Sequence, residues 1–234
     1  MSPELRVAML TEIERELSRR KLEQYAPYEK QREFHALGAS TRERLFMAGN
    51  QLGKSLSGAA EMAIHLTGRY PDWWQGRSFD KGISAWASGV TGESVRDTVQ
   101  RLLVGRPGQY GTGYIPADCI EGEPKRAMGV PDLLDSVAVR HVSGSVSRLY
   151  FKRYEQGREK WQGETLDIVW FDEEPPPDIY TEGLTRTNAT GGMAYMTFTP
   201  LLGMSQIVMR FLHSKSVDQS VTSMTIDDVA HYTA

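Results

Sequence analysis

The chain has 234 residues, of which 40% are hydrophobic and 24% are charged, proportions that are ordinary for one large or two small globular domains. Its net charge of −3 argues against a protein that coats nucleic acid with one whole face. No stretch reaches the roughly 20 apolar residues that span a bilayer, and the charged N-terminus lacks the apolar core of a signal peptide, so we expect a cytoplasmic protein without membrane contact.

The first elements of the chain are predicted to be helical. Residues 4–21 carry an apolar stripe at a spacing of four, made by Leu5, Met9, Ile13 and Leu17. This spacing is typical of an amphipathic helix, which we expect to pack against the main domain or a neighbour. A second short helix is predicted over 28–37 and stops at Gly38. We therefore divide the chain into an N-terminal helical segment, 1–38, and a core, 39–234.

Strands and helices alternate in the core, in the order that produces a parallel sheet. A short apolar run at 44–48 breaks into glycines, and a helical pattern continues over 54–67. A strand at 83–88 and a helix over 93–104 follow. Further strands are predicted at 137–142, 147–152, 166–171, 194–198 and 221–226, the first two joined as a hairpin. The pattern predicts an α/β fold with a central, mostly parallel sheet flanked by helices.

Glycine and proline crowd together between Gly105 and Asp132, which predicts an irregular insertion. The single cysteine of the chain, Cys119, lies in it. It has no partner for a disulfide or a zinc site, so we expect a small, partly buried residue.

The loop after the first core strand matches a phosphate-binding pattern. Its sequence from Ala48 to Ser55 reads AGNQLGKS, which fits A-x-x-x-x-G-K-S. Such a loop turns successive backbone N–H groups inward, and the following helix adds its positive N-terminal end. Lys54 would then reach the β and γ phosphates of a nucleotide, and the Ser55 hydroxyl would bind Mg²⁺. The predicted nucleotide contacts are Ala48, Gly49, Asn50, Gln51, Leu52, Gly53, Lys54, Ser55 and Leu56.

A second motif lies at the end of a buried strand. Residues 168–171 are apolar and are followed by Asp172, Glu173 and Glu174. Carboxylates at the carboxyl end of such a strand emerge where α/β sheets bind ligands. We assign Asp172 to Mg²⁺ and Glu173 to the polarisation of the attacking water, because repulsion among three adjacent carboxylates favours proton uptake by one of them. The two motifs together predict an enzyme that hydrolyses ATP with Mg²⁺.

The segment 28–34, YEKQREF, precedes the phosphate-binding loop. It resembles the adenine-binding element of terminases and helicases, in which a glutamine reads the adenine edge and an aromatic ring packs on the base. By this resemblance Gln31 and Tyr28 would hold the adenine.

Two more segments are similar to bacteriophage terminase large subunits. The run 150–174 resembles the residues that lead into their acidic strand. Residues 197–200, TFTP, resemble their coupling motif, in which a Ser/Thr pair before proline senses the γ phosphate. By this resemblance Thr197 and Thr199 join the nucleotide site. The similar segments together cover about 28–209, most of the chain.

This resemblance implies a RecA-like ATPase of the additional-strand catalytic-glutamate (ASCE) class. It implies a motor that moves double-stranded DNA into a procapsid, in a ring of subunits, typically five, on the portal protein and with a terminase small subunit. Such a motor acts in the host cell cytoplasm and is absent from the mature virion. We expect the isolated domain to be a monomer. The family's nuclease domain is not expected in this chain, which ends just after the predicted motor.

A ring motor also needs a positive charge at the γ phosphate, often from a neighbouring subunit. Arg158, in the segment that leads into the acidic strand, is the first candidate, and Arg186 is the second. The alternative for each is a structural ion pair.

Three other functions share parts of this pattern. A helicase would need a second RecA-like domain, for which 35 residues after Thr199 are too few, although a helicase or translocase fragment stays open. A small-molecule kinase would show a basic lid and no glutamate beside the Mg²⁺ aspartate. A nucleotide-dependent assembly switch would bind ATP without useful turnover.

Overall fold

The structure is a computed structural model that describes residues 3–200, 203–213 and 216–229. Its described residues form one eight-stranded sheet in the order β3-β4-β5-β2-β6-β7-β1-β8. The strands are β1 (Glu43–Ala48), β2 (Ser84–Gly89), β3 (Ile120–Arg126), β4 (Leu134–Arg140), β5 (Val146–Arg153), β6 (Ile168–Asp172), β7 (Met193–Phe198) and β8 (Gln219–Met224). All strands from β5 to β8 in this order are parallel, whereas β3 and β4 are antiparallel to their neighbours.

Helices cover both faces of this sheet. The regular helices are α1 (Pro3–Ser18), α2 (Glu29–Leu37), α3 (Lys54–Thr67), α5 (Pro177–Arg186) and α6 (Gln206–His213). Helix α4 consists of α-helical turns at Gly92–Ser94 and Arg101–Leu103 on either side of a π-helical segment, Val95–Gln100. Short 3₁₀ turns lie at Ala117–Cys119, Tyr154–Gln156, Arg158–Trp161 and Ile226–Asp228.

The central strands are buried on both faces, which explains their continuous apolar sequences. Every residue of β6 is buried, and successive side chains point to opposite sides. Trp170 belongs to the apolar cluster under α2, α3 and α4, while Val169 and Phe171 belong to the cluster under α5 and α6. The sheet is thus the middle layer of a three-layer domain.

Helix α3 packs unusually close to the sheet at Gly58. A Cβ atom at this position would lie 2.7 Å from the indole of Trp170, so only glycine allows the approach. The Tyr195 hydroxyl donates a hydrogen bond to the Gly58 carbonyl oxygen at 2.9 Å. These contacts fix the start of α3, and with it the preceding loop, against β6 and β7.

The α/β class, the predicted strands, the helix over 54–67 and the hairpin are confirmed. The prediction of an irregular segment over 105–132 is wrong in part, because β3 lies within it as an exposed strand paired with β4. The sequence patterns did not indicate helices α5 and α6. Cys119 is a buried free thiol, as expected. The division at residue 38 stays a prediction.

The predicted packing of α1 on the main domain is wrong for its apolar stripe. Leu5, Met9, Ile13 and Leu17 all remain about half exposed. The reason is that α1 continues the chain away from the sheet, whereas α2 buries Phe34 and His35 in the core. Packing against a neighbour stays a prediction. None of the helices within the described ranges is both long and apolar enough to cross a membrane.

Candidate functional site

The predicted motifs meet at one edge of the sheet. Strands β6, β7 and β1 are adjacent and parallel, so their carboxyl ends lie side by side. Ala48 ends β1 and opens the phosphate-binding loop, Asp172 ends β6, and Thr199 directly follows β7. Carboxyl ends of parallel strands are where α/β folds bind ligands.

The loop has the backbone geometry that an anion site requires. Gly53 adopts the left-handed conformation with φ 83°, and Gln51 does so with φ 64°, which turns the chain tightly into α3. Among the described residues, no side chain caps α3 at Gly53. The first N–H groups of the helix and its positive dipole end therefore face the loop, where a phosphate fits.

Lys54 connects the loop to the acidic strand end. Its side chain is largely buried, and its Nζ lies 3.8 Å from Oε1 of Glu173. The ammonium group and the predicted catalytic carboxylate therefore share one small space at the mouth of the loop. A γ phosphate bound here would lie between a positive charge and a group that can orient water.

Asp172 is buried and ionises with difficulty. Burial raises its pKa to about 6, although hydrogen bonds from the hydroxyls of Ser55 and Thr197 act in the opposite direction. Thr197 donates to Oδ1 of Asp172 at 2.8 Å and is itself held by Trp170 Nε1 at 2.8 Å. The charge of Glu173 is a smaller cause. The proposed effect of carboxylate repulsion is thus corrected: the raised pKa belongs to Asp172, and burial is its main cause.

Glu173 has a strained backbone. Its φ of 65° lies in the left-handed region, which costs a non-glycine residue about 1–3 kcal/mol. The hydroxyl of Tyr154 lies 3.0 Å from the Asp172 carbonyl oxygen and 2.9 Å from that of Glu173. The Glu173 N–H donates to the Thr197 carbonyl oxygen at 3.0 Å. Tyr154 therefore holds the turn that presents Glu173, a role that the sequence did not indicate except by its place in the run 150–174.

The two threonines of the TFTP segment have separate contacts. Thr197 bonds Asp172, as described, whereas the Thr199 hydroxyl donates to the Ala48 carbonyl oxygen at 2.9 Å. Thr199 Oγ1 also lies 3.1 Å from Oδ1 of Asn50. The end of β7 is thus tied to the acidic strand and to the first residues of the loop.

A cleft of about 440 Å³ lies beside the loop, next to Gly53. Gln31 donates to the Gly53 carbonyl oxygen at 3.3 Å and accepts from the Tyr28 N–H at 3.0 Å, which fixes its amide against the loop. Predicted residues lining the cleft are Tyr28, Gln31, Gln51, Leu52, Gly53 and Leu56, and the sequence did not indicate Lys21, Gln24, Tyr25, Ala26, Tyr114 and Val229. Its shape, aromatic walls and position suit a nucleotide base.

The two candidate arginines are held by one carboxylate. Arg158 Nε lies 3.0 Å from Glu182 Oε2, and an Arg186 guanidinium nitrogen lies 2.8 Å from Glu182 Oε1. Glu182 is buried on α5, the Arg158 side chain is 57% exposed, and that of Arg186 is 23% exposed. None of the contacts described for either arginine is with the phosphate-binding loop.

The Ser55 hydroxyl and the Asp172 carboxylate are hard oxygen donors of the kind that Mg²⁺ prefers. Their mutual hydrogen bond places both oxygens at one point of the site. The described part of the chain contains no cluster of three or more His, Cys, Asp or Glu that could enclose a metal ion. A Mg²⁺ ion held here would therefore complete its shell with water and phosphate oxygens.

Comparisons with known sequences agree with this geometry. Residues 45–234 match the family described as terminase large subunit, T4likevirus-type, N-terminal. Along its whole length the chain is 46% identical to the terminase large subunit of Salmonella phage P22, of which it covers 51%. It is 31% identical to the terminase large subunit of Enterobacteria phage LP7, of which it covers 53%. The chain thus spans about half the length of these curated relatives.

Solved structures show the same fold. A point mutant of the large terminase ATPase domain of Thermus phage P74-26 is similar with a TM-score of 0.62 at 17% identity, over 90% of this chain and 86% of that one. The large terminase of another thermophilic bacteriophage, in complex with ADP, gives 0.61 at 12% identity, over 88% and 47%. The predicted RecA-like architecture is confirmed. With the match over residues 45–234 and the 46% identity along its whole length, the chain belongs to the terminase large-subunit family.

Proposed function

We propose that this chain binds and hydrolyses MgATP as the motor unit of a phage DNA-packaging terminase. The observation that supports the chemistry best is the meeting of Lys54, Asp172 and Glu173 at the adjacent carboxyl ends of β1 and β6, beside an uncapped helix N-terminus. These are the groups that phosphoryl transfer to water needs: a phosphate cradle, a metal ligand and a group that orients water.

Each residue then has a defined role in hydrolysis. The loop N–H groups and Lys54 bind the β and γ phosphates, and Ser55 and Asp172 hold Mg²⁺, which neutralises phosphate charge when it is bound. Glu173 orients the attacking water and accepts its proton. Thr199, which contacts the loop, would respond to the loss of the γ phosphate. Its hydrogen bonds to Ala48 and Asn50 offer a route by which hydrolysis moves β7.

Arg158 is the proposed arginine finger. It lies on the 3₁₀ turn before β6, and its guanidinium is more than half exposed although it pairs with Glu182. An exposed ion pair contributes little stability, so Arg158 can leave Glu182 at little cost. It would then supply positive charge to the γ phosphate of a neighbouring subunit. Arg186 is less exposed and stays the second candidate.

Family membership supports the packaging part of the proposal. The substrate would be double-stranded DNA, and the partners would be a terminase small subunit and the portal protein of a procapsid. The active form would be a homo-oligomeric ring, a pentamer by resemblance, in the cytoplasm of the host. Hydrolysis in that ring would drive DNA into the procapsid.

A steady-state assay of phosphate release tests the proposal. The chain should hydrolyse ATP when Mg²⁺ is added, and Glu173→Gln should slow turnover by about 10²- to 10⁴-fold, because it removes a proton acceptor, without weakening ATP binding. Lys54→Ala should lose binding as well as turnover. Glu174→Gln is the matched control, since the Glu174 carboxylate accepts a hydrogen bond from Ser205 and has no assigned role in hydrolysis.

Tight ATP binding without turnover, in the monomer and in every oligomer, would contradict the proposal. It would favour the nucleotide-dependent assembly switch.

A further inference from the structure

A chain of buried polar side chains begins at the cleft beside the phosphate-binding loop. Tyr25 lines this cleft with its ring, while its hydroxyl points into the protein. The hydroxyl lies 3.0 Å from Nε2 of His35 and 3.2 Å from Oγ of Ser57 on α3. Ser57 Oγ also lies 3.3 Å from the same His35 nitrogen. The Tyr25 hydroxyl is therefore bound to the helix that follows the loop.

The chain of contacts ends at a fully buried carboxylate. Nδ1 of His35 lies 2.6 Å from Oε2 of Glu61, one helical turn further along α3. Glu61 also pairs with Arg44 of β1, and the Arg44 guanidinium stacks 4.7 Å from the centre of the Phe34 ring. A carboxylate paired with arginine is ionised, so Nδ1 donates to it and Nε2 of the neutral ring accepts from a hydroxyl. Tyr25 thus meets a fixed acceptor.

A second tyrosine reaches the same carboxylate from the other side and serves as a natural control. Nδ1 of His65 lies 3.2 Å from the Tyr70 hydroxyl, and Nε2 of His65 lies 3.6 Å from Glu61. The Tyr70 hydroxyl also accepts a hydrogen bond from the Phe79 N–H at 2.7 Å. Tyr70 lines a different cleft, of about 990 Å³, near the amino ends of the parallel strands and away from the phosphate-binding loop.

We propose that Tyr25 is a positioning residue for the nucleotide base: its hydroxyl, bound to Ser57 and His35, holds its ring as a wall of the base cleft in register with the phosphate-binding loop. This inference rests on the proposed function, because it takes the cleft next to Gly53 as the base subsite. Tyr114 packs edge-to-face on the ring of Tyr25 with centroids 5.7 Å apart, which completes the wall. Without the hydroxyl the ring loses its fixed orientation, and base binding must restore it.

Calorimetric titration with two ligands tests the proposal. Tyr25→Phe should weaken ATP binding about three- to tenfold, the effect of one lost hydrogen bond, while binding of inorganic tripolyphosphate changes less than about twofold. Tripolyphosphate has the phosphates but no base, so it reports the loop alone. Tyr70→Phe removes the equivalent hydroxyl from the other arm and should leave both affinities unchanged.

Unfolding curves measured on the same proteins separate binding from stability. If Tyr25→Phe does not fold, Ser57→Ala removes a partner of the same hydroxyl and should weaken ATP in the same selective way. Unchanged ATP binding would overturn the proposal. So would an equal loss for ATP and tripolyphosphate, or an equal loss in Tyr70→Phe. If the unsubstituted chain bound neither ligand, the proposed function would fail first and this inference with it.

Discussion

Two buried carboxylates at opposite parts of the domain differ in what compensates their charge. Glu61 lies in the middle of α3 and Asp172 at the end of β6, and both are less than 5% exposed. Glu61 is paired with Arg44 and receives hydrogen bonds from His35 and His65. Asp172 receives hydrogen bonds from two hydroxyls, and the described residues place no arginine against it.

The two pKa values differ accordingly. Burial alone would raise the pKa of Glu61, but the charge of Arg44 and the histidine hydrogen bonds outweigh it and hold the pKa well below its usual range. At Asp172 burial prevails and raises the pKa to about 6. The chain thus neutralises the structural carboxylate with its own cation and leaves the other for a cation from outside. This is the arrangement expected of a Mg²⁺ ligand, and it has a cost in stability.

The largest effect is expected at the compensated carboxylate. Glu61→Gln leaves the Arg44 charge buried without its partner and should lower the free energy of unfolding by about 3–5 kcal/mol. Urea unfolding at pH 7 measures it. Glu33→Gln is the control, because Glu33 pairs with Lys30 at 2.8 Å on an exposed face and should contribute less than about 1 kcal/mol. Equal losses in the two variants would show that burial of the Arg44–Glu61 pair has no special weight.

At Asp172 the expected change in stability has the opposite sign. Asp172→Asn removes a buried charge but keeps an oxygen that accepts from Thr197, so it should raise the free energy of unfolding by about 1–3 kcal/mol at pH 8. ATP hydrolysis should be lost. A destabilised variant would mean that the negative charge of Asp172 is already compensated within the fold.

The pH dependence of these two differences sharpens the contrast. The folded pKa of Asp172, about 6, lies above its usual 3.8, so the stability gained by protonation is complete below about pH 4 and is lost as pH rises through 6. The advantage of Asp172→Asn should therefore grow from pH 4 to pH 8. The pKa of Glu61 is lowered, so its contribution is present above 4.5 and is lost as pH falls further. The gap between the chain and Glu61→Gln should narrow below pH 4.5.

Asp172 could be predicted from the sequence, whereas the pairing of Glu61 could not. Asp172 follows a run of apolar residues that must form a buried strand, and the loop pattern before Lys54 depends only on local backbone geometry. Glu61 meets Arg44 because α3 packs on β1, a tertiary contact without a local signal. The spacing from Glu61 to His65, one helical turn, was the available hint, since it places both on one face of α3.

The missed elements have equally specific reasons. Strand β3 contains Gly122 and Pro124 and is mostly exposed, so its conformation depends on pairing with β4 and not on its own propensity. Helix α5 begins at Pro177, the last of three prolines that read as a turn, although proline is favoured at the first position of a helix. The strain at Glu173 also has no signal in sequence, because it results from the contacts of Tyr154 and Thr197.

Glu182 is an intermediate case between Glu61 and Asp172, and the smallest effect is expected there. It is buried but shared by two arginines, so the loss of the more exposed one, in Arg158→Ala, should lower the free energy of unfolding by less than about 1 kcal/mol. If Arg158 acts on a neighbouring subunit, mixing Arg158→Ala with Glu173→Gln subunits should restore part of the ATPase activity that each lacks. Arg186→Ala, which removes the less exposed partner of Glu182, should cost more stability and give no recovery in the same mixture. Absence of recovery for Arg158→Ala at every ratio would leave it as a structural partner of Glu182, a surface counterpart of Arg44.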